Sequence, residues 1–172
     1  MTIHSDHPFP TEPDPARRFR GRLGGAVSLW TAGDAGARAG LTVTSLLVVD
    51  GPQPAVLGLL DPDSDLAELL LERGRGVVSL LGWEHRHLAE AFAGTAPAPG
   101  GPFRTAPFVE TPSGPRPATV TTWAEIEVVE HRELGWSVEI VAALRETVVG
   151  DDTEPLGHRR GRWLRFEPPA GR

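Results

Sequence analysis

The sequence predicts a mainly β fold, a β-barrel of Greek-key type with a few short helices appended. Three observations carry this expectation. Six or seven runs of β-branched and apolar residues are separated by Gly, Pro and Asp turns. The helical patterns among them are short and do not alternate regularly with the strands, as a doubly wound sheet would require. No GxGxxG follows a strand, which removes the usual dinucleotide fingerprint.

Composition narrows the chemistry before any motif is considered. A chain of 172 residues with 40% hydrophobic content is long enough for one well-packed domain. The formal net charge of -6 disfavours nucleic acid as the main partner. There is no cysteine, so disulfides, thiolate catalysis and thiolate metal sites are excluded together. All 17 residues of the Lys and Arg class are Arg, which excludes Schiff-base and P-loop lysines. No tyrosine is available as an acid or nucleophile. No apolar run is long enough to span a membrane or serve as a signal peptide, so a cytoplasmic location is the default expectation.

Taken in order, residues 1–15 alternate proline with polar residues and read as a disordered tail. The domain is expected over 16–167, with a loose tail at 168–172. Ala16 to Gly24 is a short helix with Phe19 and Leu23 on one face. Ala26 to Thr31 is a strand. The turn Gly33-Asp34-Ala35-Gly36 leads to a central strand over Gly40–Val49. Gly51-Pro52-Gln53-Pro54 turns the chain into the strand Ala55–Leu60. The cluster Asp61-Pro62-Asp63-Ser64-Asp65 starts a helix that Gly74 stops. Val77–Leu81 is a short strand, and Trp83–Ala93 a helix ending at Gly94. Thr95–Pro117, rich in Pro and Gly, is too long for a simple connection and is expected to order in part over a pocket or a partner. Two long strands, Thr119–His131 and Trp136–Val149, meet in a hairpin at Gly135, and Arg162–Phe166 is the last strand.

The central run carries three hydroxyls, Thr42, Thr44 and Ser45. Along a regular strand Thr42 and Thr44 share one face, and Ser45 points the other way with Leu47. They read either as donors facing a ligand or as ordinary strand threonines. The start of the Asp61–Asp65 helix offers backbone N–H groups to an anion, but three aspartates crowd it and are expected to cap it themselves. His85 and His87 lie on different helical faces and make a poor metal pair, so no metal site is assigned.

These motifs, in this order, resemble the flavin reductase-like family, FMN-binding split barrels that act as NAD(P)H:flavin oxidoreductases. Gly40-Leu41-Thr42-Val43-Thr44-Ser45-Leu46 resembles the family's Gly–Met/His–Thr–Ala–Ser–Ser–Phe strand. Gly51-Pro52-Gln53-Pro54-Ala55-Val56-Leu57 is similar to its proline turn, and Val77-Val78-Ser79-Leu80-Leu81 stands where the family reads Phe–Ala–Val–Asn–Val–Leu. Leu88–Gly94 matches its helix ending in Phe–Ala–Gly. Pro155-Leu156, followed by Arg160-Gly161-Arg162-Trp163, is similar to its closing strand. The resemblance runs from about Phe19 to Phe166.

The resemblance implies FMN, with FAD as the alternative, lying along the central strand near a homodimer interface, with NAD(P)H as co-substrate and a monooxygenase as recipient of reduced flavin. It implies that Thr42, Val43, Thr44 and Ser45 meet the flavin, that Leu60, Asp61, Asp63 and Ser64 hold its ribityl-phosphate end, and that Ser79 stands in for the family's Asn. The family's Gly–Asp–His segment is replaced by Leu134-Gly135-Trp136-Ser137. Trp136 is therefore expected either to stack on an aromatic ring of the ligand or to pack in the hairpin. Arg86 or Arg104 is a possible counter-charge for the phosphate. The five tryptophans, Trp30, Trp83, Trp123, Trp136 and Trp163, are candidates for the dimer surface or the pocket wall. The cofactor carries the chemistry in such an enzyme, so no catalytic side chain is assigned. The alternatives are a non-enzymatic flavin carrier or electron-transfer protein, or a split barrel for FAD, a deazaflavin or haem. His85, His87, His131 and His158 are then the ligand candidates for haem.

Overall fold

The computed structural model describes residues 14–151 and 154–166. Of the tails expected at 1–15 and 168–172, residues 1–13 and the whole C-terminal segment lie outside the described residues. Asp14 and Pro15 belong instead to a helix start. In chain order the elements are α1 (Pro15–Arg22), β1 (Gly25–Ala26), β2 (Ser28–Asp34), β3 (Ala37–Val43), β4 (Leu46–Val49), β5 (Ala55–Leu60), α2 (Asp65–Arg73), β6 (Arg75–Leu80), α3 (Arg86–Phe92), β7 (Phe108–Thr111), β8 (Gly114–Pro117), β9 (Trp123–Leu134), β10 (Ser137–Val148), β11 (Leu156–Arg159) and β12 (Arg162–Arg165). Among the described residues no helix is long and apolar enough to cross a membrane.

Seven strands form one antiparallel sheet in the order β3-β2-β6-β9-β10-β5-β4. Its two edges, β3 and β4, are consecutive in sequence and separated only by Thr44 and Ser45. One run of chain therefore supplies both edges, and the sheet curls into a barrel with a split strand. The single strand expected over Gly40–Val49 is thus broken at Thr44-Ser45. The cause is tertiary: the first half pairs with β2 and the second with β5.

The barrel interior holds Trp30, Val43, Val56, Leu60, Val78, Ile126, Ile140 and Ala142. Leu66 and Leu70 of α2 join the same core. Burial of each Val, Leu or Ile side chain among these contributes about 1.5–3 kcal/mol. Trp30, a candidate for a surface or pocket wall on sequence grounds, lies wholly inside. Its Nε1 donates to Ser28 Oγ (3.0 Å), and Ser28 Oγ donates to the Val43 carbonyl (2.9 Å), so the indole is buried with its polar atom satisfied. α2 forms where the Asp–Pro–Ser cluster predicted. Ser64 is the N-cap, accepting from Ala67 N (3.2 Å), and Gly74 closes the helix at φ 67°.

A second core lies outside the barrel wall. Leu29, Leu88, Ala89, Phe92, Val120 and Leu156 pack together there, with Phe103 and Phe108 against them. The 95–117 segment thus orders over its own barrel. A 3-10 turn at Pro102–Arg104 and the β7–β8 hairpin place Phe92, Phe103 and Phe108 edge to face, 4.9–5.9 Å between ring centres. Ser113 Oγ donates to Glu125 Oε2 (2.9 Å) and ties that hairpin to β9.

Candidate functional site

The polar dipeptide between β3 and β4 sits where the two barrel edges meet. The Ser45 carbonyl accepts from Leu59 N (3.0 Å), which ties it to β5. The side chains of Thr44 and Ser45 both face solvent. β5 leaves this seam through Leu60, whose side chain is core, into the Asp61–Ser64 loop. Asp61 Oδ1 accepts from Asp63 N (3.0 Å), and Ser64 Oγ donates to the Asp61 carbonyl (2.6 Å). The loop's geometry is held by its own side chains, and Ser64 caps the helix where the aspartates were expected to do so.

Register brings a further group to the same end. Val138 pairs with Leu60 at the start of β10, so the β9–β10 turn lies beyond the end of β5 from which the Asp61 loop departs. Trp136, in that turn, is 60% exposed, and Gly135 beside it adopts φ 60°. Thr44, Ser45, the Leu60–Ser64 segment and Trp136 thus gather at one end of the barrel.

Three expected residues are placed differently. Val43 points into the core and is 3% exposed. Thr42 Oγ1 donates to the Ala89 carbonyl of α3 (2.8 Å), so its hydroxyl fastens a helix. Ser79 is 1% exposed and pairs with Leu29 and Trp123, and its Oγ has no hydrogen-bond partner. Both Thr42 and Ser79 lie beside Leu29 on the outer wall that α3 and the 95–117 segment cover. Of the expected counter-charges, Arg86 pairs with Glu90 (3.5 Å) and stacks on Trp83, while Arg104 lies in the 3-10 turn against Gly100.

The charge around the seam is acidic. Asp61, Asp63, Asp65 and Glu68 surround the first turn of α2, where negative charge suits the helix dipole. His85 and His158 lie on other elements, the 3-10 turn Trp83–His85 and β11. His85 is buried beneath Gly82, accepting from Gly82 N at Nδ1 (3.2 Å), with Nε2 3.1 Å from Thr119 Oγ1. Burial holds its pKa below the ordinary imidazole value, and the same cause lowers His158.

Sequence reasoning missed the wall beside the seam. Antiparallel partners share a face, and the ladder sets Leu47 beside Leu57 and Val141, and Val49 beside Ala55 and Ala143. Leu47 is 71% exposed and Leu59 on β5 is 41% exposed. The unbroken apolar run Leu46–Val49 was the available signal, read as strand burial within one chain.

The family described as flavin reductase like domain matches residues 20–166. A comparison with curated proteins gave no match. Among solved structures, the NADH:FAD oxidoreductase SgcE6 of Streptomyces globisporus C-1027 superposes with TM-score 0.80 at 24% identity, covering 92% of this chain and 99% of that one. The styrene monooxygenase flavin reductase of Pseudomonas putida S12 gives TM-score 0.79 at 22% identity, covering 91% and 100%. A homologue of nitrilotriacetate monooxygenase component B from Mycobacterium thermoresistibile gives 0.79 at 19% identity, covering 91% and 88%. At these identities the structural likeness establishes the shared fold.

Proposed function

Because the chain belongs to the flavin reductase-like domain family, we propose that it is an NAD(P)H:flavin oxidoreductase whose flavin lies across the Thr44–Ser45 seam. The observation that carries this placement is the seam itself. Two exposed hydroxyls lie between the barrel edges, close to an exposed tryptophan and an uncovered apolar wall. Pockets for planar cofactors combine such an apolar surface with a few polar groups. The donor set fits a flavin, with Thr44 and Ser45 as hydroxyl donors and Trp136 as an aromatic face. Leu60, Asp61, Asp63 and Ser64 border the ribityl end. FMN is the first choice and FAD the second, although the carboxylates at the start of α2 oppose the terminal phosphate dianion of FMN. Thr42, Val43 and Ser79 support the seam from behind, by the contacts described above.

The chemistry supplied by a bound flavin is acceptance of a hydride from NAD(P)H at N5. The protein binds and orients the two rings and excludes water from between them, and no side chain needs to act as acid or base. The apolar wall of β4, β5 and β10 suits a second copy of the chain, which would seal the seam in a homodimer. Reduced flavin would pass to an oxygenase component, a reading supported by two of the similar structures, one named as a styrene monooxygenase flavin reductase and the other as a homologue of a monooxygenase component B. Such a partner fits a cytoplasmic protein.

The test is an absorbance titration of the purified full-length protein with FMN and FAD, followed by anaerobic NADH or NADPH. Flavin binding with bleaching on nucleotide addition supports the reductase and identifies the donor. Binding without bleaching favours the flavin carrier, a reading motivated by Trp136 standing in place of the family's Asp–His. Neither binding nor turnover would overturn the flavin assignment.

A further inference from the structure

We propose that the groove between α1 and the β11–β12 turn is an anion site that takes a phosphate group. The groove, about 250 Å³ in volume, is lined by Arg18, Gly21, Arg22 and Arg160. Three arginines thus line one small cavity in a chain of net charge -6. None of the three forms an ion pair among the described residues. α1 has no acidic residue in its first turn and buries none of its residues, and the carboxylate of its N-cap, Asp14, accepts from Ala16 N at the other end of the helix from Arg22. The arrangement is built rather than incidental, because Arg159 Nε donates to the Arg22 carbonyl (2.9 Å) and fastens the end of α1 to the hairpin.

A second, independent observation lies in the turn. β11 and β12 are joined by the two residues Arg160 and Gly161, with Arg159 paired to Arg162. Both central residues are left-handed, Arg160 at φ 53° and Gly161 at φ 75°. Such turns favour Asn, Asp or Gly at the first position, because a larger side chain is strained there. Arg160 is the one non-glycine residue with positive φ among the described residues. An arginine held at that cost, and lining the same groove as two further arginines, points to a use for its guanidinium. Guanidinium forks match phosphate oxygens in pairs, and a phosphate dianion relieves the mutual repulsion of three such groups. The phosphate has two chemical sources, free inorganic phosphate or a nucleotide, and the site is argued independently of the flavin reading.

The experiment is calorimetric titration of the full-length protein with pyrophosphate, ADP and adenosine at low and at physiological salt. Saturable, salt-sensitive binding of pyrophosphate and ADP, without binding of adenosine, is expected. Arg18→Gln and Arg160→Asn should each weaken it about tenfold or more, while Arg75→Gln on β6 leaves it unchanged. Because Asn suits the turn, Arg160→Asn should melt no lower than the parent, so its loss of binding is not a folding defect. ADP much tighter than pyrophosphate identifies a nucleotide ligand, and equal affinities identify the phosphate alone. The proposal is overturned if pyrophosphate does not bind saturably, or if Arg75→Gln weakens it as much as the groove variants do.

Discussion

A Cβ placed on Gly58 would stand 2.7 Å from Cη2 of Trp30, so the indole reaches from β2 across the barrel onto the backbone of β5. Trp30 and Gly58 together set the spacing of the two sides of the barrel. Gly58→Ala would force the indole off its seat, because close-packed cores do not yield easily. The expected loss is about 1–3 kcal/mol, the usual cost of overpacking. Urea denaturation should show a lower midpoint with an unchanged slope. A variant as stable as the parent would mean that the indole has room to tilt.

The hydroxyls of the central run should separate by role. Thr42→Ala removes the bond to the Ala89 carbonyl and should cost about 0.5–1.5 kcal/mol of stability, with flavin affinity unchanged. The exposed pair Thr44→Ala with Ser45→Ala should do the reverse. Its melting should stay within about 0.5 kcal/mol of the parent, while flavin dissociation rises about tenfold. Flavin titration followed by fluorescence, beside thermal melts, distinguishes the two. Unaltered flavin binding in the double variant would remove the flavin from the seam.

Much of this architecture was legible in the residues. The helix start within the Asp61–Asp65 cluster, the stop at Gly74 and the hairpin at Gly135 follow from local chemistry and stand where the sequence put them, although the cap is Ser64 and not an aspartate. The barrel closure was not legible. Gly40–Val49 is uniformly strand-like, and nothing local reveals that Thr44-Ser45 divides it between two sheet edges. The sorting of Thr42 from Thr44 depended on α3 arriving beside β3, a contact between residues 47 positions apart. Trp30 read as a surface candidate because alternation alone does not tell the inside of a barrel from a covered outer wall. β8, with two prolines in four residues, carries no strand signal of its own, and β7 is only four residues long within a Pro- and Gly-rich segment, so the pair reads as loop.

The apolar wall yields a separate prediction about assembly. Leu47→Glu combined with Val49→Glu places two charges on a face already exposed in the single chain, so the fold should survive. If two copies meet there, light scattering should show the parent as a dimer and the variant as a monomer. Loss of reductase turnover with the dimer would mean that the second copy helps to complete the seam. A parent that is monomeric at working concentration would refute the shared interface.

Stability should fall with acidity because of His85. Its Nδ1 accepts from the Gly82 N–H, which leaves the proton on Nε2, directed at Thr119 Oγ1. A second proton on Nδ1 would face that N–H head-on and place a charge in a buried site. Burial accordingly lowers the pKa of His85 from 6.5, partly opposed by Glu84. The unfolded chain then takes up a proton near 6.5 that the folded chain refuses. With more protons bound in the unfolded state, stability rises with pH through this window. The contribution is fully present above the unfolded value and is lost as pH falls below it. His158, lowered chiefly by burial, acts in the same direction. Asp34, whose carboxylate accepts from Gly36 N and Ala37 N, acts only at much lower pH, below its ordinary value of 3.8. Melting temperature measured from pH 8 to about 5 should therefore be level at first and then decline below about 6.5. His85→Gln should be less stable at neutral pH but should flatten that decline. An undiminished slope in His85→Gln would assign the acid sensitivity to other groups.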